Sequence, residues 1–347
     1  MAGNIVYDLV DPQELIQYVR AFENEVLRAE GRIVLDQYLP NVYTDDLEVR
    51  MRKGGLNDTD AAEYRAWDTP APMTDRPGVS RISGKLGPVS RQIPLGEEET
   101  LRVRSMLAGN NNPLIDAIYA DAERMTRAVA VRVELARGDV INDGKVTIVE
   151  NGLTLEADFG RPASMSVVTA NVWTNPTLGK PITDLLTWVE AYVNENGIAP
   201  DHILMPKTRV SSLVLSEEVR AYAAGTGGTP ARVNRATLDE ILTSEGLPPI
   251  RLYDGQFRVN KTRVRVLPVD KIYLMPPVGE ELGNTWYGPT AEAIKLQGKG
   301  LLPGSEGPGI VAVVTETDSP VQTFTLATAV ALPMMPNPSL ILDADVA

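Results

Sequence analysis

Few side chains in this sequence could do chemistry. The single histidine, His202, follows Asp201, and an imidazole beside a carboxylate is the base half of a nucleophile–base pair. No nucleophile motif accompanies it, so its place at the edge of an apolar strand predicts a half-buried histidine with its hydrogen bonds satisfied. Asp58, Asp60 and Glu63 hint at a cation loop, but the remaining ligands and the turn glycine of an EF-hand are missing. The run Gly225-Thr226-Gly227-Gly228-Thr229-Pro230 lacks the Lys-Ser/Thr of a phosphate loop and follows a predicted helix instead of a strand. Gly298-Lys299-Gly300 and Gly304 to Gly307 miss both that pattern and the nucleophile elbow. With no cysteine, thiol nucleophiles, thiolate zinc sites, iron–sulfur clusters and disulfides are excluded. Two carboxylates could still hydrolyse a glycoside, but 46 acidic residues make such a pairing uninformative. We expect no catalytic, cofactor-binding or metal-binding residues and no enzyme activity.

Charge is the more informative property. The chain of 347 residues has a formal net charge of −13, which argues against nucleic acid binding over the whole surface. The charge is uneven. Residues 1–48 hold ten acids, Glu14 and Glu23 among them, against three bases. Between Arg76 and Leu95 there are four bases, Arg76, Arg81, Lys85 and Arg91, and no acid. A second basic cluster, Arg258, Lys261, Arg263 and Arg265, falls in a predicted β-region. The start of the chain is acidic where a signal peptide would be basic, and no apolar run approaches the roughly 20 residues of a membrane helix.

Asp11-Pro12-Gln13-Glu14 is a helix start, with Leu15, Val19, Phe22 and Val26 on one face. Pro and Gly punctuate residues 49–104 too densely for a helix. Alternation at Val89, Arg91, Ile93 and Leu95 suggests an extended, partly paired arm. Asn112-Pro113 opens the strongest helical pattern, predicted over 113–137 with Gly138 as its stop. Asn151-Gly152 then marks a hairpin. From Pro181 the texture becomes an α/β alternation, with Leu185, Leu186, Val189 and Val193 expected inward on the helix 181–196. Strands dominate the remainder.

In that order these parts resemble the tailed-phage major capsid proteins, most closely the lambda-type protein E family. The resemblance rests on Asp158-Phe159-Gly160, Trp173, Pro181-Ile182-Thr183-Asp184, Tyr253-Asp254-Gly255-Gln256-Phe257, Tyr287-Gly288-Pro289, Asp318-Ser319-Pro320 and the ending from Ala331-Leu332-Pro333 to Val346. It implies an α+β capsid fold. The implied parts are an N-terminal arm (1–48), an extended loop (49–104), a peripheral domain with the spine helix (105–180, completed by 283–347) and an axial domain (181–282). It implies assembly into hexamers and pentamers of an icosahedral head, built in the bacterial cytoplasm around double-stranded DNA that is not read by sequence. Separate scaffold, portal and decoration proteins are implied partners, and no membrane is involved. An encapsulin-like compartment is the alternative, and a carboxylate-based α/β enzyme a more distant one.

A projection too irregular to bury its own apolar residues should lay Ile82, Leu86, Val89 and Ile93 on a neighbouring copy. The expected subunit contacts are therefore Arg76, Arg81, Ile82, Lys85, Leu86 and Arg91 of the loop with Glu14 and Glu23 of the arm. To these we add Gly225, Gly227 and Gly228 near a capsomer axis, and Arg258, Arg263 and Arg265.

Overall fold

The computed structural model describes residues 4–5, 10–27, 29–31, 33–53, 62, 64–65, 67, 69–70, 80–98, 101, 112–224, 232–279, 282–304, 307–318 and 321–347. One long strand organises the larger sheet. Strand β16 (Val321–Met334) pairs on one edge with β15 (Val311–Asp318) and then β14 (Asn284–Gly288). On its other edge lies β5 (Gly87–Leu95), in register from Ala331↔Gly87 to Thr323↔Leu95. Strand β1 (Asn4–Ile5) extends the sheet beyond β15, and β2 (Asn41–Tyr43) runs parallel to β14. Alternate residues of β15 serve two cores: Ala312 and Val314 face the helices α1 (Pro12–Ala21) and α2 (Asn112–Asp143), while Val311 and Val313 pack with α7 (Ala291–Gly298).

Helix α1 begins as expected. Asp11 caps it by accepting the Gln13 N–H at 2.8 Å, and Pro12 takes the first helical position. Leu15, Val19 and Phe22 are buried, but a π-helical turn over Phe22–Leu27 swings Val26 out to solvent.

Helix α2 is longer than predicted. It runs 32 residues, about 48 Å at 1.5 Å per residue. Gly138 lies inside it instead of ending it, and Gly144, with φ of 66°, makes the left-handed stop. The role of Gly138 is close approach: a Cβ there would stand 2.5 Å from the Val266 side chain and 2.6 Å from its carbonyl oxygen. The hairpin of β6 (Lys145–Glu150) and β7 (Leu153–Asp158) follows, turning at Asn151-Gly152 with φ of 48° and 82°.

The second sheet has the order β10 (Ile250–Leu252), β9 (His202–Met205), β13 (Lys271–Met275), β17 (Leu342–Asp345), β8 (Ser166–Val168). Its helices are α3 (Pro181–Asn196), α4 (Lys207–Leu215), α5 (Glu217–Tyr222) and α6 (Arg235–Ser244). The end of the chain therefore closes this sheet, whereas the sequence placed residues 283–347 wholly with the other one. On α3 the buried face is Ile182, Leu185, Trp188 and Tyr192, rotated from the predicted stripe, and Leu186 and Val193 are exposed. Aromatic rings decide the rotation. Trp188 stacks on Trp173 at 5.7 Å between centroids, and the Trp173 indole donates to Asp184 at 2.9 Å.

Besides the β6–β7 hairpin, two ribbons stand outside both sheets. One pairs β3 (Glu48–Lys53) with β4 (Ser80–Lys85), the other β11 (Gln256–Val259) with β12 (Thr262–Arg265).

Candidate assembly surfaces

In the first ribbon, side chains alternate between the protein body and solvent. Val49 and Ile82 face inward and are buried. Glu48, Arg50 and Arg52 of β3 face outward opposite Lys85, Ser83 and Arg81 of β4. Arg50 pairs with Glu48 at 3.3 Å, while Arg52 and Arg81 stand directly across from one another. Two close approaches seat the ribbon. A Cβ on Gly84 would meet Leu332 at 2.7 Å, and one on Gly288 would meet Leu86 at 2.7 Å. These contacts correct one expectation. Ile82 and Leu86 are buried in their own chain's core, and Val89 and Ile93 pack beside the α2 helix because β5 belongs to the large sheet. These four residues therefore need no neighbouring copy. Arg81, Lys85 and Arg91 are exposed, and no ion pair joins them to the arm's acids among the described residues. Arg76, Gly225, Gly227 and Gly228 lie outside the described residues.

The arm folds onto its own chain. Glu14 is exposed, in a groove between α1 and α2 that Tyr18, Asp116, Tyr119 and Glu123 complete. The Tyr18 hydroxyl donates to Glu123, and this bond together with burial pushes its pKa up to about 12. Glu23 is half-buried in the π turn. Arg127 of α2 holds Glu30, so part of the arm's charge is neutralised locally.

In the second ribbon, Phe257 is buried, and Arg258 and Arg263 are opposed on the exposed face. Arg265 is partnered by Asp254 at 2.9 Å. The turn at Asn260-Lys261 has φ of 48° and 68°, the two-residue geometry that suits a twisted hairpin.

The chemistry-bearing candidates have ordinary structural roles. His202 is fully buried. Its Nδ1–H donates to Asp201 at 2.9 Å and its Nε2 accepts from Tyr38 at 2.6 Å, while burial holds its pKa below the usual value. Asp58, Asp60 and Glu63 lie outside the described residues. Among the described residues no cluster of His, Cys, Asp and Glu could hold a metal, and no helix is long and apolar enough to cross a membrane.

Sequence reasoning missed two buried polar clamps. Glu134 accepts the backbone N–H groups of Val34 and Leu35 at 2.9 and 2.8 Å and pairs with Arg137 at 3.0 Å, and Arg137 also donates to Thr285 at 2.9 Å. Arm, spine and β14 are thus tied at one buried point. Arg161 donates to the carbonyls of Ile141 and Asn142 at the end of α2 and pairs with Asp343 at 2.7 Å, and Lys271 meets the same carboxylate at 2.9 Å. The available signal was a Glu and an Arg three apart on the helix's apolar side, where unpaired charges would be costly.

The chain matches the model of the phage major capsid protein E family over residues 24–346. It belongs to that family. The chain resembles two crystal structures of low identity. One is a prophage protein of E. coli CFT073 described as a capsid protein, with a TM-score of 0.63, 14% identity, and 97% of this chain and 99% of that chain covered. The other is a phage-related protein from Bordetella bronchiseptica RB50, with a TM-score of 0.57, 12% identity, and 100% and 99% covered. At such identities the likeness concerns the fold, and the family match supplies the role. No curated protein matches the sequence. The major capsid protein is a structural component of the phage head, its fold is the α+β capsid fold, and its copies form the shell. The family match favours a phage capsid protein over the encapsulin alternative.

Proposed function

We propose that copies of this chain assemble into hexamers and pentamers that close an icosahedral shell around double-stranded DNA, and that the chain has no catalytic role. In this reading residues 181–282 form the axial domain, and residues 105–180 with most of 283–347 the peripheral domain. Residues 49–104 supply the extended loop and 1–48 the arm. Scaffold, portal and decoration proteins would be separate chains, and assembly would take place in the bacterial cytoplasm.

The observation that supports this best is the first ribbon. It exposes five bases, Arg50, Arg52, Lys53, Arg81 and Lys85, against the single acid Glu48, on a chain whose arm has a net charge of −7. One surface of each sign on a single chain favours a head-to-tail contact that closes into rings. Individual exposed pairs are worth about 0–1 kcal/mol, and a shell repeats them many times. Negative-stain imaging of the protein expressed alone is the test. Closed shells or rings of five and six copies are expected, and a monodisperse monomer at high concentration would overturn the reading. Within assembled material, Arg81→Glu with Arg91→Glu should weaken assembly and reduce its salt sensitivity. Wild-type behaviour would remove these two residues from the contact.

A further inference from the structure

The second ribbon is anomalous for so acidic a protein. Gln256–Arg265 contains four bases and no acid. Its register sets Arg258 directly opposite Arg263 on an exposed face, and like charges in that position oppose one another. Neither they nor Lys261 form an ion pair among the described residues; Arg258 only donates to the Lys261 carbonyl at 3.3 Å. The nearby carboxylate, Asp254, is taken up by Arg265 and by the Lys207 N–H. The three remaining cations edge an open groove of about 820 Å³ that also includes Gly31 and Val34.

The converse arrangement lies toward the other end of α2. The groove of about 500 Å³ between α1 and α2 collects Glu14, Asp116 and Glu123 with no base among its lining residues, and two tyrosine rings in edge-to-face contact at 4.9 Å form its wall. Carboxylates and aromatic faces together suit a guanidinium. Within one chain the two surfaces cannot meet. The basic ribbon is rooted through Val266 at Gly138, and the groove spans residues 116–123 of the same helix, about 20–35 Å away at 1.5 Å per residue.

We propose that the β11–β12 hairpin of one copy docks its Arg258, Lys261 and Arg263 into the α1–α2 groove of a second copy, a head-to-tail contact separate from the one made by the first ribbon. The proposal rests on the shell reading. The occupant is a second copy because the complementary surface is present on every chain, and because opposite ends of one rigid helix generate repeated, directional contacts.

The test compares wild type with R258Q/R263Q, R258E/R263E and the charge-swapped R258E/R263E/E14R/D116R. Shell yield is measured by sedimentation and negative stain, and melting is measured on the unassembled protein. Removing the repulsion should leave the R258Q/R263Q monomer melting at or above wild type while its shell yield falls about tenfold. Reversal should reduce the yield further, and the swap should restore it. This opposite movement of folding and assembly separates a contact from a folding defect. Wild-type yield in R258E/R263E, or no recovery in the swap, would overturn the proposal. So would unchanged yield with shells that lose bound nucleic acid, which would make the hairpin a phosphate contact. If wild type itself forms no shell, the shell reading fails and this inference falls with it; if wild type and R258E/R263E form shells in equal yield, only the inference fails.

Discussion

The two ribbons have the same outward design and different roots. Each opposes two arginines on its exposed face, Arg52 with Arg81 and Arg258 with Arg263. The first leads through Leu86 straight into β5, so its inner residues share the main core with Leu332 and Met334. The second closes on itself at Asn260-Lys261 and is held by Phe257 and by the crossing of Val266 over Gly138. An open ribbon that continues a large sheet distributes its anchorage. A closed hairpin depends on a few contacts and is a short, fixed projection.

Truncating the anchors should expose that difference most strongly. Phe257→Ala removes a ring that is 6% exposed and should cost about 3–4 kcal/mol. Its early signature should be faster amide exchange confined to β11 and β12. Ile82→Ala should cost about 2 kcal/mol, because Val49 and Leu86 remain in place, and the exchange of β5 should stay slow. Chemical denaturation with hydrogen exchange measures both. Equal losses, or exchange that spreads equally into the large sheet, would erase the distinction between distributed and concentrated anchorage.

A smaller and sharper contrast comes from adding one methyl group at each seat. At Gly138 the new Cβ meets the Val266 backbone, which cannot move without displacing β12, so Gly138→Ala should lose about 2 kcal/mol even though alanine favours helix by about 1 kcal/mol. At Gly84 the contact is with the end of the Leu332 side chain and the Met334 thioether, which can shift. There the gain from replacing a strand glycine, about 0.5–1 kcal/mol, should nearly offset the crowding. Thermal melts of the two variants at one pH test the pair. A Gly84→Ala loss as large as that of Gly138→Ala would mean that the first ribbon is seated as rigidly as the second.

These contrasts also show what could be read before the structure was seen. The order of elements, the turn at Asn151-Gly152, the cap at Asp11 and the limits of α3 were legible because each is a local signal written in a few residues. The end of α2 was misread because a glycine required by the distant Val266 has the same sequence signature as a glycine that stops a helix. The face of α3 was rotated because Trp173, eight residues before the helix, decides where Trp188 points. Val89 and Ile93 were assigned to a neighbour because the nine-residue pairing of their strand with β16 spans more than two hundred positions, which no local pattern records. Exposure of Arg81, Lys85, Arg91, Arg258 and Arg263 was foreseeable from charge and alternation. That three of these arginines would each face another arginine was not, since register is set by the turn and the buried face together.

The last contrast concerns those opposed arginines and should be the smallest. Like charges directly across a ribbon oppose folding by about 0.2–1 kcal/mol, so Arg81→Gln and Arg263→Gln should each stabilise the unassembled protein by a few tenths of a kcal/mol at low salt. Raising the ionic strength should shrink both gains, because a Debye length of about 8 Å at physiological salt already screens exposed charges at this spacing in part. The two gains need not be equal. In the first ribbon the Glu48–Arg50 pair lies one outward-facing position along the strand and offsets part of the repulsion, whereas the second has only Asp254, already committed to Arg265. The gain at Arg263 should therefore exceed that at Arg81. Urea titrations at two salt concentrations resolve the difference, and the reverse order would mean that Glu48 contributes no compensation and that the two ribbons are electrostatically alike.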